Sequence, residues 1–441
     1  MEARDQRAFF KGQIAKRGMP SLSLTLNIPG YPKSNSSVEN FFGYCLIDFR
    51  CFLKANLINI LDEEVVSGID AAGDFYIVPY SPDIRTLHEI KQYCEAFEHN
   101  HPLGRFIDAD LNDPKGDSIS SGKSKICFFC LERAAIECRR ENAHDVEEVR
   151  AFMFSKMDLY CKDRRENSLV EKLSSLALRA ILSEISLTPK PGLVDKFSNG
   201  SHTDMNYQTF LDSTTAIYPW FPELIREGIK FSDPDLTKAL PILRNIGLQM
   251  ESAMFEATHN VNTQKGIIFL IGLSLFACGM LFGKSDRFNW DEFRDLLRGI
   301  CKDLVIKELK NAGNGANSHG TDIYHKYGLS GARGEAESGL ETVFRFGLPQ
   351  LMGVDQLDDS LLIRCFLAIA SKNNDTNILY RSNPEILGIF QKFCSQALHN
   401  FNDENYSAVI EFCKNNNISP GGSADLLAVT IFVWSVIRAD L

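Results

Sequence analysis

The sequence carries no excess of positive charge. Its 57 acidic residues against 47 basic ones leave a formal charge of -10, with a pI near 5.5. A broad electrostatic footprint for nucleic acid is therefore excluded, and an anionic ligand has to be met by a local basic site, which favours small phosphorylated molecules. An apolar signal region is lacking as well: the chain starts Met1-Glu2-Ala3-Arg4-Asp5 and no hydrophobic stretch follows. With that start, the twelve cysteines point to a reducing cytoplasm. No uninterrupted apolar run has the length that crosses a bilayer. The stretch from Gly266 to Phe282 is broken by Gly272, Ser274, Cys278 and Gly279, and the one from Leu426 to Ile437 is shorter. Both are expected as buried helices, and no membrane partner is expected. Also absent are a Walker loop, Gly-x-x-x-x-Gly-Lys-Ser/Thr, and a Rossmann Gly-x-Gly-x-x-Gly, so a standard nucleotide fold is not indicated. No internal repeat of fixed period occurs.

What is present fills well-packed cores. Apolar residues make up 44% and charged residues 24% of 441 positions, and that length implies roughly two or three domains, with two as the working number. Ser21 to Leu26 alternates with period two, Phe75 to Val78 does so more weakly, and both are expected as strands. Val38 to Leu57 and Ile84 to Glu98 read as helices, so the first part of the chain is α/β or α+β. Residues 160 to 168 are polar, and Ser168 with Glu171 fits a capping box before Leu169, Leu173, Leu176 and Ala180. The boundary is expected there, with one domain over 1 to 160 and a larger all-α domain over 168 to 441. Asn311 to Asn317 reads as a loop by composition.

Chemistry is concentrated in the helix breaks of the second part. The stretch 183 to 206 stops a helix at Thr188-Pro189 and then carries Lys190, Asp195, His202 and Asp204 past Gly192 and Gly200. Further polar clusters are Glu256 to Gly266, Ser318 to Asp322, Gly331 to Gly339, Asp375 to Asn377 with Arg381, and Ser419 to Asp425. Lys190, Lys265 and Arg333 suit phosphates, while Asp195, Asp204, Glu335, Glu337 and Asp425 suit Mg²⁺ or a hydroxyl. Gly266, Gly421 and Gly422 let backbone N–H groups approach phosphate oxygens at a helix start. Capping and loop packing are the plainer alternative for any single residue.

Six segments of this part resemble the triphosphoribosyl-dephospho-coenzyme A synthase family: Thr188-Pro-Lys-Pro-Gly-Leu-Val-Asp195, Gly200 to Met205, Val261-Asn-Thr-Gln-Lys-Gly266, Gly331 to Gly339, Asp375-Thr-Asn377 and Ile418 to Asp425. They keep the family's order over nearly all of 168 to 441. Where that family usually reads Thr-Gly-Gly-Val-Asn-Thr-His-Lys-Gly, this chain has Asn260 for a Gly and Gln264 for a His. An imidazole role at 264 does not carry over, though a hydrogen-bonding role survives in the amide. Residues 1 to 160 resemble the phosphoribosyl-dephospho-coenzyme A transferase of citrate lyase maturation, through Leu26-Asn-Ile-Pro-Gly-Tyr-Pro-Lys33, His101-Pro-Leu-Gly-Arg-Phe-Ile-Asp-Ala-Asp110, and Cys127, Cys130, Cys138 and His144. Asp108 and Asp110, two apart on an extended segment beside Arg105, project to one face and can share a divalent cation, as in a nucleotidyltransferase. Edge-strand acids facing solvent are the bland alternative. The Cys127, Cys130, Cys138 and His144 set suits Zn²⁺, with a seven-residue gap shorter than the usual finger spacing. Reduced, partly buried thiols are the alternative there.

The resemblance implies two reactions. In the first, the ribose 2'-hydroxyl of 3'-dephospho-CoA attacks C1' of the ribose of ATP and adenine leaves, the triphosphate being retained. In the second, the phosphoribosyl-dephospho-CoA portion passes to a serine of the apo acyl carrier subunit of citrate lyase, with loss of pyrophosphate. It further implies phosphate or substrate contacts from Lys33, Lys190, Asp195, Asn262, Lys265, Arg333, Asp375, Asn377, Gly421, Gly422, Ser423 and Asp425. Catalytic duty falls to Arg105, Asp108, Asp110, His202, Asp204, Glu335 and Glu337, with Glu335, Glu337 or Asp425 open to metal or base duty and Mg²⁺ at Asp108, Asp110, Glu335 and Glu337. Service to malonate decarboxylase, or a non-catalytic maturation factor that binds carrier or nucleotide, are the competing readings.

Overall fold

Alternation of apolar and polar side chains makes Ser21–Leu26 (β1) the centre of an antiparallel sheet. A computed structural model describes residues 2 to 120, 125 to 285, 287 to 310 and 319 to 439. The loop expected at Asn311 to Asn317 lies outside the described residues. The chain divides into two compact units, Met1–Arg165 and Glu166–Leu441.

In the first unit α1 (Glu2–Ala15), β1, α2 (Ser36–Ala55), β2 (Val66–Asp70), β3 (Gly73–Pro79), α3 (Leu87–Asn100), β4 (Ile107–Asn112) and α4 (Ala135–Arg140) follow in order. The strands lie β2-β3-β1-β4, all neighbours antiparallel, which makes this unit α+β. Leu22, Leu24, Ile107, Ala109 and Leu111 point to one face, where α2 and α3 bury Phe41, Phe49, Ile90 and Phe97. The period of two sends Asp108 and Asp110 to the other face, in register with Thr25 and Ser23. There Ile14 of α1 packs on Phe75 and Ile77.

The expected helix start at Ser168 does not occur. Helix α5 (Val146–Ser186) runs for 41 residues through it, and the division between the units falls inside that helix. Residues 160 to 168 are polar but contain neither Gly nor Pro, so nothing breaks the backbone ladder, and polarity alone does not end a helix.

The second unit is otherwise helical: α6 (Tyr207–Ile217), α7 (Phe221–Lys230), α8 (Ala239–Ala257), α9 (Lys265–Phe282), α10 (Trp290–Ile300), α11 (His319–Tyr327), α12 (Gly331–Glu337), α13 (Leu348–Leu351), α14 (Asp359–Ala370), α15 (Thr376–Arg381), α16 (Pro384–His399), α17 (Asp403–Asn415) and α18 (Gly421–Arg438). Helices α9 and α18 are each 18 residues and apolar enough by length and composition to cross a membrane, yet 83% and 72% of their windows are buried inside the protein. The small residues that interrupt α9 are contacts. A Cβ on Gly279 would stand 2.3 Å from the Ile225 carbonyl oxygen of α7, and one on Gly228 would stand 2.2 Å from that of Phe276. Two glycines thus let α7 and α9 cross backbone to backbone.

Gly279→Ala is expected to destabilise the protein by about 1–3 kcal/mol, because the backbones must part. Gly388→Ala, on α16 with open space around it, is expected to stabilise by up to about 1 kcal/mol. Chemical unfolding of both variants checks the pair, and equal effects would contradict the crossing.

Candidate functional sites

On the sheet face of the first unit, the carboxylates of β4 meet three lysines from three different segments. Lys91 of α3 donates to Asp110 Oδ1 and to the Ala109 carbonyl, both at 3.1 Å. Lys125 reaches Glu98 Oε2 at 2.7 Å and stands 3.7 Å from Asp108 Oδ1. Glu98 in turn accepts from the Ala109 N–H at 2.8 Å. Lys11 of α1 shares this surrounding: burial lowers its pKa, against the pull of Asp110 and Asp108. Burial, then the neighbouring Asp110, raises the pKa of Asp108. Two like charges are thus held on one face within a ring of ammonium groups. Arg105 donates to the Ile126 carbonyl oxygen at 2.5 Å, and Lys33 to that of Ile28 at 2.5 Å. Cys127, Cys130, Cys138 and His144 bring one ligand atom each within 4.8 Å of one another.

In the second unit the loop from 187 to 206 folds back on the end of α5. The Lys190 ammonium is buried and donates to Glu184 Oε1 at 2.7 Å and to the Glu184 carbonyl at 3.0 Å. Its charge is committed to the protein, which differs from the expected phosphate contact. Asp195 is likewise occupied: it accepts from the backbone N–H groups of Lys190, Phe197 and Ser198 at 2.8–3.0 Å. Gly192, with φ of 66°, lies so near Ile418 that a Cβ would come within 2.2 Å of its carbonyl oxygen. His202 Nε2 pairs with Ser419 Oγ at 2.8 Å, and Nδ1 faces Arg381 at 3.3 Å. Burial and then Arg381 lower its pKa, so the imidazole is neutral at pH 7. Asp204 is exposed, 3.7 Å from the ring.

Asp375 ties two helix starts together. One oxygen accepts from the N–H of Asn377 at 3.0 Å, capping α15, and the other from Ser423 N and Oγ at 2.8 and 2.9 Å, capping α18. Asn377 and Asp375 also lie against Gly421 and Gly422, at distances of 2.7 and 3.3 Å from where a Cβ would stand. One turn along α18, Asp425 aims at α9: a Cβ on Gly266 would fall 1.9 Å from Asp425 Oδ2. Among the described residues no donor is bonded to this carboxylate. Burial, with Glu184 and then Asp375 nearby, pushes its pKa well above the carboxylate range. The N-cap residue Gln264 makes no side-chain cap bond to α9, whose first residues are Lys265 and Gly266, and among the described residues no other side chain is bonded to these N–H groups. Lys265 pairs with Glu251 at 3.0 Å and is partly exposed. Arg333 pairs with Glu308 at 2.7 Å, an acid that Arg244 also contacts. Asn262 is exposed just before α9.

Glu335 and Glu337 do not form the expected metal pair. Residues two apart on α12 point about 200° apart around a helix, and each is occupied. Glu335 accepts from the Thr342 hydroxyl and, at 3.1 Å, its N–H; Glu337 accepts from Val305 N–H at 3.1 Å. Gln264 is buried and bonded to Ser213 and Thr214 of α6, a structural role for the amide. His259 and Asn260 have φ of 53° and 67°, the left-handed region that a Gly-Gly pair enters freely. Sequence reasoning missed Glu184, Lys91, Lys125 and Lys11, whose roles arise only from tertiary pairing.

Residues 170 to 440 match the family described as ATP:dephospho-CoA triphosphoribosyl transferase, and residues 1 to 160 that described as apo-citrate lyase phosphoribosyl-dephospho-CoA transferase. Protein CitXG of Haemophilus influenzae is 32% identical over 99% of this chain and 95% of its own length. Protein CitXG of Leuconostoc mesenteroides subsp. cremoris is 29% identical over 94% and 91%. The 2-(5''-triphosphoribosyl)-3'-dephosphocoenzyme-A synthase of Pectobacterium atrosepticum is 38% identical over 61% of this chain and 91% of its own length. Both parts of the chain thus fall in transferase families, and the protein is a bifunctional transferase enzyme. It belongs to the ATP:dephospho-CoA triphosphoribosyl transferase family, in the fused form that also carries the apo-citrate lyase phosphoribosyl-dephospho-CoA transferase. It makes triphosphoribosyl-dephospho-CoA and transfers phosphoribosyl-dephospho-CoA to apo-citrate lyase.

Lys190→Met is expected to cost about 3–5 kcal/mol of stability by stranding the buried Glu184, and adding Glu184→Leu is expected to recover most of it. Unfolding curves check this. A double variant that is stable but no longer releases adenine would instead make Lys190 a ligand contact.

Proposed function

We propose that the synthase reaction takes place where the starts of α9 and α18 converge, with Asp425 as the general base. The supporting observation is a mostly buried carboxylate, free of hydrogen-bond partners among the described residues, that lies against the first turn of α9. A base must be poised near neutral pH, and burial moves Asp425 that way. Asp425 takes the proton from the ribose 2'-hydroxyl of 3'-dephospho-CoA as that oxygen bonds to C1' of ATP. The bond from C1' to adenine breaks, and adenine leaves with the electron pair and takes a proton from water. Lys265 and Arg333 exchange Glu251 and Glu308 for triphosphate oxygens, and the open N–H groups at the start of α9 add to them. Glu335 and Glu337 do not fit a shared Mg²⁺, so no step is assigned to a metal there.

The nucleotidyltransferase-like first unit then joins the carrier serine oxygen to the phosphorus next to the ribose, the bond from that phosphorus to the bridging oxygen breaks, pyrophosphate leaves with the electron pair, and the serine proton passes to solvent. Asp108 and Asp110 fit a divalent cation, being like charges on one strand face where burial, and then the neighbouring Asp110, raises the pKa of Asp108. They would hold Mg²⁺, which when bound offsets charge on the departing pyrophosphate. Lys91, Lys125 and Lys11 supply further positive charge around it. ATP, 3'-dephospho-CoA and the apo acyl carrier subunit are the partners, and a reducing cytoplasm suits the twelve free cysteines.

Asp425→Asn is expected to slow adenine release from ATP and dephospho-CoA by about 10²–10⁴-fold, while transfer of supplied intermediate to apo carrier continues. Asp108→Asn is expected to do the reverse. The wild-type synthase rate should rise with pH through a limb displaced above the ordinary carboxylate range, because Asp425 acts when ionised. Chromatography of adenine reads the first step and carrier mass the second; loss of both steps in each variant would contradict two separate sites.

A further inference from the structure

Four soft or imidazole donors meet in the first unit at a place that neither reaction uses. The turn Cys127-Phe-Phe-Cys130 closes through the Cys127 N–H to the Arg133 carbonyl at 2.8 Å and the Leu131 N–H to the Cys127 carbonyl at 3.0 Å. A short bridge pairs Ile126 with Ala134. The third donor, Cys138, comes from α4, and the fourth, His144, from the segment just before α5. Cys127 Sγ lies 3.6 Å from His144 Nε2, and Cys130 Sγ lies 3.7 Å from Cys138 Sγ. A tetrahedral zinc with Zn–S near 2.3 Å and Zn–N near 2.0–2.1 Å separates its sulfurs by about 3.8 Å and a sulfur from a nitrogen by about 3.6 Å. These two edges have those lengths and all four donor atoms lie within 4.8 Å of one another, whereas a disulfide would need sulfurs near 2.05 Å.

The local backbone is shaped for the same purpose. Leu131 adopts φ of 60° and leaves its side chain 74% exposed, so a bulky residue takes a strained conformation and packs nothing in return. That conformation turns the N–H groups of Glu132 and Arg133 toward the Cys130 sulfur. Thiols packed only as apolar filler need neither the convergence nor the donors.

We propose that Cys127, Cys130, Cys138 and His144 bind one structural zinc ion, and that this knuckle positions the transferase carboxylates. Its first arm carries the positioning contacts. Lys125 holds Glu98 and faces Asp108, the Ile126 carbonyl receives Arg105, and Phe128 packs edge-on against Phe106 at 5.1 Å between ring centres. Phe129 packs against His144 and Phe152 on the other side. The zinc touches no substrate in this arrangement; it fixes where the arm meets β4. The positioning role rests on the assignment of transfer to Asp108 and Asp110, but the metal site does not.

Metal analysis of the purified full chain tests the site directly. About one zinc per chain is expected to survive dialysis, and Cys138→Ser to lose it. Cobalt substituted for zinc should show the d–d and charge-transfer bands of a tetrahedral thiolate site, independently of any activity. Wild-type protein without zinc, iron in its place, or a Cys138→Ser variant that retains the metal would overturn the site. Zinc removal by a thiol-directed mercurial, then scavenging of the mercurial with excess dithiol in the presence of chelator, is expected to lower transfer about 10-fold or more and to leave adenine release unchanged. Readdition of zinc should restore transfer. Unchanged transfer in the zinc-free chain would overturn the positioning role, and equal loss of both activities would show a global rather than a local effect and overturn it too.

Discussion

The buried carboxylate of Asp375 fixes the geometry of the proposed synthase site. A carboxylate accepting several N–H bonds at a helix start is among the stronger neutral-to-ionic contacts in a protein. Asp375 makes that contact twice, capping its own helix α15 and, through Ser423, the start of α18. The consequence reaches Asp425, because it lies only two residues from Ser423 along the rigid helix. Its position against Gly266 follows from where α18 begins. Burial raises the pKa of Asp375, against the lowering pull of the hydrogen bonds from Ser423 and Asn377.

The loop before α6 depends on the same frame. Gly192 approaches the Ile418 carbonyl oxygen, Ser201 donates to that oxygen at 2.8 Å, and His202 bonds to Ser419. Each contact lands on the strand of residues leading into α18, so Lys190 and Asp195 shape a wall and leave ligand contact to groups beyond it. Two of the motif's charged residues therefore act inward. This is a common division of labour: an ion pair sealed between a loop and a helix end lowers the number of conformations open to the loop, and the reactive groups can then be few.

Legibility in the sequence followed the range of the interactions. The alternation of Ser21 to Leu26 and the spacing of Asp108 and Asp110 depend on neighbours two residues apart, and both read through to β1 and β4. Local signals without a breaker misled: Ser168 and Glu171 have the letters of a capping box but sit inside α5. Lys190 looked free because its partner Glu184 is on the preceding helix and is reached only after the chain reverses. The resemblance made Glu335 and Glu337 metal candidates, but residues two apart on α12 stand on different faces of the helix. At 259 and 260 the positive φ values carry information the residue types conceal, since the family's glycines mark a backbone conformation that His259 and Asn260 adopt at some cost.

The two units handle anionic chemistry in opposite ways, and the net charge of -10 makes the difference intelligible. In the second unit charge comes from helix starts and from cations such as Lys265 and Arg333 that already have acidic partners, so under the proposed assignment a triphosphate has to displace protein carboxylates to bind. Exchange of this kind discriminates by charge number, because a ligand with fewer charges does not compensate for the carboxylates it displaces. In the first unit three lysines surround three carboxylates from separate segments. Such a cluster is balanced only while every segment keeps its place, and a small error in one arm leaves a buried charge unpaired. Strand β4 lies at the edge of the sheet, so the segment after it gains little restraint from the sheet. That is the segment where the three thiols and the imidazole converge, and a cross-link there acts on the part of the fold that has the least packing to hold it.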